Sequence, residues 1–485
     1  MKKNVNPFPE KGQDSASILA EMKLVKESDS SWKNGKMFGY VFYPGDEEAA
    51  VLEKVHQLFC SDNALNTSLF GSLRKFENET VAMVAGLLNA GPEAAGSLTS
   101  GGTESILMTV KTARDYARKH RTDIAHPQIV IPESAHPAFD KAAHYLDVGA
   151  VHIPVRADKR ADTTAMEKAI NENTILLVGS APCFPHGVVD PINEIGILAL
   201  KYHIPFHVDA CMGGMMLPFV EKLGYPVPLF DFRVEGVTSI SADLHKYGYS
   251  PKGASVIVYS NHELRRHQFY VHADWSGGLY GSPTMLGTKC GGPIAAAWAS
   301  IKLSGFEGYM VRASKVMDTV KKIQSGINSI PGLYVISNPE MSIFSFTSDV
   351  HDVFAIGDEL TVQGWHLDRL QFPNALHMTI SSHNVGKDNE FLNALEIAVR
   401  KADSRKVQNT VSHVLVSFVN GLSRILPGQW FNRLSSSAAG LFNQKEGSKP
   451  GRSAAMYGMT ATLDNRENVH EMVLDVMDNI YTLDP

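Results

Sequence analysis

Between about residues 97 and 260 the chain alternates short apolar runs with segments of helical periodicity. QIVIP (128–132), AVHIPV (150–155), TILLVGS (174–180), IPFHVDA (204–210), VTSIS (237–241) and ASVIVYS (254–260) read as strands. Helical patterns lie between several of them, for example Thr164 to Asn171 and Asn193 to Tyr202. Strands that are apolar at nearly every position are buried on both faces, which predicts a mostly parallel sheet covered by helices, the α/β class. In such sheets chemistry gathers beyond the carboxyl ends of the strands. Gly101, His136, Asp209 and Lys246 each fall just past a predicted strand or in the loop after one.

The flanks divide the chain further. Residues 1–60 read as an N-terminal arm and helix: Asp14-Ser15 caps a helix carrying Ile18, Leu19, Met22 and Val25, which packs either on a partner subunit or on its own domain. Residues 61–330 form the large domain, with TSGGTESILMTV at 99–110 read as a turn feeding a helix and a last helix near 306–328. Pro331-Gly332 opens a smaller α+β domain, 331–485, in which LYVIS, MSIFSFTS, GWHLDRL and HMTISS alternate with two helices. Segment 404–450 departs from this pattern. Val411, Val414, Leu415, Phe418, Leu422, Ile425 and Leu426 make one helical face, and Trp430, Phe431 and Leu434 follow. Such a stretch suits either the surface of a bilayer or a helix packed on the enzyme, and peripheral membrane contact through 411–434 is the expectation.

Composition narrows the function classes. A chain of 485 residues that is 44% hydrophobic has ample material for a large core, and a net charge of -6 argues against a nucleic-acid partner. Cys60, Cys183, Cys211 and Cys290 are far apart and read as reduced thiols, with no zinc or other metal site expected. The N-terminus has no apolar signal region, and no run reaches the roughly 18–20 apolar residues that span a bilayer. A cytoplasmic protein with peripheral membrane contact is expected.

The candidate chemistry centres on SISADLHKYGYSPKG, residues 239–253. Lys246 lies among small residues and aromatics; desolvation there would lower its pKa from about 10.4 toward neutrality and free the amine for a Schiff base. In SLTSGGTES, Gly101 and Gly102 let backbone N–H groups approach a phosphate at a helix start, with Thr103 adding a hydroxyl; alone this is also an ordinary turn. Asp209 ends a strand where a carboxylate can pair with a protonated pyridine nitrogen or simply cap a loop. His136 can stack on a flat ring or be a plain loop residue, and His245 can reach a phosphate. Phosphate cradle, histidine, aspartate and lysine occur in an order that suits pyridoxal phosphate.

These residues sit in longer blocks: LTSGGTESILM (98–108), SAHPAFDKAAHYL (134–146), APCFPHGVVDP (181–191), HVDACMGG (207–214), FDFRVEGVTSISADLHKYGYSPKGAS (230–255), DWSGGLYGSPT (274–284) and MYGMTAT (456–462). With them the chain resembles the sphingosine-1-phosphate lyase family, pyridoxal-phosphate aldehyde-lyases within the group II decarboxylase superfamily. The resemblance implies a homodimer of the aspartate-aminotransferase-like fold (fold type I), with a large cofactor-binding domain and sites at the subunit interface. It implies Lys246 as the Schiff-base lysine, Asp209 at the pyridine nitrogen, His136 over the ring, and Gly102, Thr103 and His245 near the cofactor phosphate, beside Gly101 of the same turn. It implies Lys252 at the substrate phosphate. The reaction implied is retro-aldol cleavage of a phosphorylated long-chain amino-alcohol to a fatty aldehyde and phosphoethanolamine, with Lys246, His136 or a water as base.

The match departs from the family pattern in two places. Asn66 stands where a histidine is expected to reach the partner's substrate phosphate, and Phe42 replaces a tyrosine, with Tyr43 beside it. Either these are neutral changes, Asn66 and Tyr43 still reading phosphate, or the substrate has shifted, with weaker phosphate binding or a different headgroup such as an unphosphorylated amino-alcohol or an amino acid. An amino-acid decarboxylase using the same apparatus and an inactive membrane-associated protein are the competing functions.

Overall fold

The computed structural model describes residues 8–404 and 466–481. The amphipathic stretch 411–434 and the block 456–462 lie outside them. The main sheet has seven strands, β1 (Ala95–Thr99), β2 (Gln128–Pro132), β3 (Gly149–Ile153), β4 (Thr174–Ser180), β5 (Phe206–Asp209), β6 (Val237–Ala242) and β7 (Ser255–Tyr259), in the order β1-β7-β6-β5-β4-β2-β3. Strands β3, β2, β4, β5 and β6 run parallel, and β7 is antiparallel to both β6 and β1. Every residue of β4, β5 and β7 is buried, which is why their sequences show no polar alternation. The fold is α/β with a mostly parallel sheet, as the apolar runs predict.

One strand was not among those read from the sequence. AGSLT, just before the predicted turn, pairs residue for residue with β7, from Ala95 opposite Tyr259 to Thr99 opposite Ser255. Its small residues carry little strand propensity. They are needed for fit: a Cβ on Gly96 would lie 2.4 Å from the Ile257 carbonyl oxygen and 2.8 Å from Val81. Because β1 runs parallel to β6, its C-terminal end delivers Gly101 to the same sheet edge as Asp209 and Lys246.

Helix Gly102–His120 starts at that edge and buries Ile106, Leu107, Val110 and Ala113 behind the sheet. The expected helix near 306–328 is longer, Gly291–Ser329, and breaks at Gly305, whose φ of 57° and ψ of 177° are not helical. Strands β8 (Tyr270–His272) and β9 (Tyr280–Ser282) form a separate hairpin. A second, antiparallel sheet contains β10 (Leu333–Val335), β11 (Ile343–Ser348), β12 (Asp368–Leu370) and β13 (Ala375–Thr379) in the order β10-β11-β13-β12.

Two attachments hold the second sheet, one to the segment before helix Asp46–Leu58 and one to the lysine turn. Met37 bridges His366, and the fully buried Phe38 stacks on Trp365 at 5.5 Å and meets Phe391 edge-on at 5.1 Å. Each such aromatic contributes about 1.5–3 kcal/mol by leaving water. Next to Lys246, Tyr247 donates to the Ile380 carbonyl at 3.0 Å and accepts from Ser342 at 2.6 Å. The lysine turn is thereby tied to the small sheet. The N-terminal helix Ser15–Lys26 is capped by Asp14, which accepts from the amides of Ala16 and Ser17. None of its residues is buried, and Leu19, Met22, Leu24 and Val25 are exposed, so it does not pack on its own domain.

Candidate active site

The carboxyl ends of β1, β4, β5 and β6 open into a cavity of about 680 Å³. Of the residues singled out from the sequence, Gly101, Gly102, Thr103, His136, Asp209, His245, Lys246 and Lys252 line it, as does Phe42. Asn66 and Tyr43 do not. The Asn66 side chain accepts from the amides of Ser68 and Leu69 at 3.1 and 3.2 Å, closing its own turn. The Tyr43 hydroxyl bonds Asp46 and receives the Lys33 ammonium at 3.3 Å.

Lys246 is held by a residue that the sequence reading passed over. Its Nζ lies 2.9 Å from Oδ2 of Asp243, a carboxylate only 1% exposed, and His245 Nε2 lies 3.6 Å from the same oxygen. Lys246 approaches off the direction a hydrogen bond needs, and neither Asp243 oxygen receives a well-aligned donor. The contact is ionic. Burial alone would raise the Asp243 pKa, but the Lys246 charge and His245 hold it far below the usual carboxylate value. The converse applies to Lys246, where burial pulls the pKa down and Asp243 more than restores it, leaving it above the ordinary lysine value. The expected near-neutral lysine is therefore corrected: in this arrangement it is a cation. The D-x-H-K spacing, which sets Asp243 and Lys246 three residues apart in one turn, was the available signal.

The turn at Gly101–Thr103 has the geometry of an anion cradle. Gly101 caps helix Gly102–His120 without any side-chain hydrogen bond, leaving the first amides of the helix to a ligand. A Cβ on Gly102 would meet Asp243 Oδ2 and Cys211 Sγ, both at 2.8 Å, so only glycine leaves room there. Glu104 fixes the turn from behind. It accepts from the Ser100 amide at 2.6 Å and from the amides of Met285 and Leu286 at 3.0 and 3.3 Å, joining the turn to the segment after β9. Sequence reasoning overlooked it, an acidic residue in the first turn of the helix.

Across the cavity, Asp209 Oδ1 accepts from the Cys211 amide at 3.0 Å and from Ser241 at 3.3 Å. His136 Nδ1 accepts from the Ala138 amide at 3.1 Å, which directs Nε2 elsewhere, and burial lowers the pKa of the ring. Lys252 points its ammonium at the His245 carbonyl, 3.3 Å away, and over the Phe42 ring, 5.3 Å from its centre. Desolvation and the neighbouring Lys246 bring Lys252 down to about 8. From the small sheet come Asp368, Arg369 and Leu370, which no local motif announced. Arg369 is paired with the buried Asp358 at 2.7 Å.

A glycine cradle with free helix amides, a half-buried lysine, and a strand-end carboxylate opposite fit a phosphorylated pyridine aldehyde. This fold and site define a pyridoxal-phosphate enzyme of fold type I. The family described as "Pyridoxal-dependent decarboxylase conserved domain" matches residues 3–348. Sphingosine-1-phosphate lyase of Oryza sativa is 46% identical over 79% of this chain and 72% of its own. Among solved structures, sphingosine-1-phosphate lyase from Burkholderia pseudomallei superposes with a TM-score of 0.80 at 38% identity, over 87% of this chain and 98% of the other. Glutamate decarboxylase from Lactobacillus brevis, with a TM-score of 0.71 and 19% identity over 82% and 95% of the chains, shares the fold. The chain belongs to the sphingosine-1-phosphate lyase family, and its cofactor is pyridoxal 5'-phosphate. Among the described residues no helix is long and apolar enough to cross a membrane.

Proposed function

We propose that the protein cleaves the C2–C3 bond of phosphorylated long-chain sphingoid bases, giving a fatty aldehyde and phosphoethanolamine. The observation that carries the reading is the pair of lysines in one cavity, with Lys246 beside Asp243 and Lys252 apart from it over Phe42. In this assignment Lys246 attaches the cofactor aldehyde, Gly101, Gly102, Thr103 and His245 hold its phosphate, His136 covers the ring and Asp209 keeps the ring nitrogen protonated. When bound, the cofactor supplies an electron sink for the carbon left behind by bond cleavage. Lys252 holds the substrate phosphate. The 3-hydroxyl proton is taken by Lys246, His136 or a water they hold.

The assembly proposed is a homodimer, in which Asn66 serves the partner's substrate phosphate. Tyr43 joins in phosphate reading only by exchanging Asp46 and Lys33 for substrate. Peripheral membrane contact through 411–434 rests on the sequence pattern alone, and a deletion of 406–448 that left liposome flotation unchanged would remove it. The domain limits proposed are 1–60, 61–330 and 331–485. Mass spectrometry of the products tests the activity: a long-chain aldehyde from the phosphorylated base supports it, whereas carbon dioxide from an amino acid would point to decarboxylation. Equal kcat/KM on phosphorylated and unphosphorylated bases would remove the phosphate specificity.

A further inference from the structure

Behind Asp209 lies a buried polar ladder that no role above absorbs. In the β5–β6 register His207 faces Ser239 and Asp209 faces Ser241, so two histidine and carboxylate positions meet two hydroxyls on one sheet face. His207 is fully buried. Its Nδ1 lies 2.9 Å from Ser239 Oγ and its Nε2 lies 3.2 Å from Ser241 Oγ. Ser241 in turn lies 3.3 Å from Asp209 Oδ1 and receives the Cys211 thiol at 3.3 Å.

The proton positions follow from these partners. A carboxylate only accepts, so the Ser241 proton goes to Asp209. Ser241 Oγ must then accept from His207, which places the imidazole proton on Nε2. Nδ1 is left as an acceptor. Thr109, 3.5 Å away, spends its own proton on the Ser105 carbonyl at 2.9 Å, so Ser239 is the donor. Burial holds the ring at a pKa of about 4, against the opposing pull of Asp209, so the ring is neutral at working pH.

We propose that His207 is a positioning residue for the cofactor. Acting through Ser241, it fixes the hydroxyl that donates to Asp209, and so holds that carboxylate aimed at the ring nitrogen. The inference deepens the function proposed above and rests on its assignment of Asp209.

The test uses the full-length holoenzyme and the variants His207→Leu, His207→Gln, Ser241→Ala and the His207→Leu/Ser241→Ala double. For each, the Kd of pyridoxal 5'-phosphate is read from visible absorbance, and kcat and KM are measured on a phosphorylated sphingoid base. His207→Leu and Ser241→Ala should each weaken cofactor binding and lower kcat by about 10-fold or more, the worth of one hydrogen bond to a charged group, with KM changed less than about 2-fold. Because His207 acts through Ser241, the double variant should lose no more than Ser241→Ala alone. His207→Gln, which can place an N–H toward Ser241, should recover most of the loss. Losses that multiply in the double variant, or wild-type cofactor affinity and kcat in His207→Leu, would overturn the proposal. If His207→Leu fails to fold, wild-type values in Ser241→Ala overturn it equally. A wild-type enzyme that binds cofactor but leaves the phosphorylated base intact refutes the assigned reaction, while the cofactor arm still judges the relay.

Discussion

Lys246 and Lys252 line one cavity with opposite electrostatics, the first raised in pKa by Asp243 and the second brought down to about 8 by burial and by Lys246. Lys252 is therefore a cation below about pH 8 and loses its charge above it. On phosphorylated substrate, kcat/KM should fall as pH rises through about 8, since this ratio reports the free enzyme. Lys252→Ala should lose about 10- to 100-fold in kcat/KM and flatten that limb, the scale of one charge-assisted phosphate contact. An unphosphorylated base should feel neither change. Asp243→Asn removes the group that keeps Lys246 charged, so cofactor attachment, followed by visible absorbance, should reach its midpoint at lower pH than in wild type. An unchanged midpoint contradicts the pairing. For stability the signs are opposite: the Asp243 contribution is present above the unfolded carboxylate pKa near 3.9 and fades as pH falls through its depressed folded value. That of Lys246 is present below about 10.4 and fades only as pH rises through its raised folded value.

Between elements, Glu104 is the latch that holds the phosphate turn to the segment following β9. Glu104→Ala should weaken cofactor binding by about 10-fold or more and lower Tm, because three backbone amides lose their acceptor at once. Wild-type affinity measured by absorbance titration would contradict that role. Strands β4 and β5, the latter ending in Asp209, were legible because burial on both faces leaves the continuous apolar runs TILLVGS and IPFHVDA. β1 was not: Ala95, Gly96 and Ser97 are shaped by β7 and Val81, which lie far away in sequence. The cavity residues of the large sheet were readable from motifs. Asp368 and Arg369 were not, since a strand edge in the small sheet reaches the cavity only through tertiary packing. Asp243 and Glu104 stood in plain view beside Lys246 and Gly102, but their use depends on side-chain direction rather than on residue type.

The whole molecule leaves the helix Ser15–Lys26 without a buried residue, and its apolar side chains stay exposed. A partner subunit is the cover that the proposed homodimer supplies. Deleting residues 8–30 should leave the Tm of the separated chain unchanged while shifting sedimentation from dimer toward monomer. A deletion that left an undiminished dimer would mean the arm is not part of the interface. The two sheets meet where Tyr247 bonds Ile380 and Ser342, so the cavity is shaped jointly by both. The central claim is that this joint cavity presents a phosphorylated sphingoid base to Lys246. Its most direct test is mass spectrometry of the purified holoenzyme incubated with sphingosine 1-phosphate, alongside Lys246→Ala. The account predicts a long-chain aldehyde and phosphoethanolamine from the wild type and neither from the variant. Intact substrate after incubation with the cofactor-loaded wild type would contradict it.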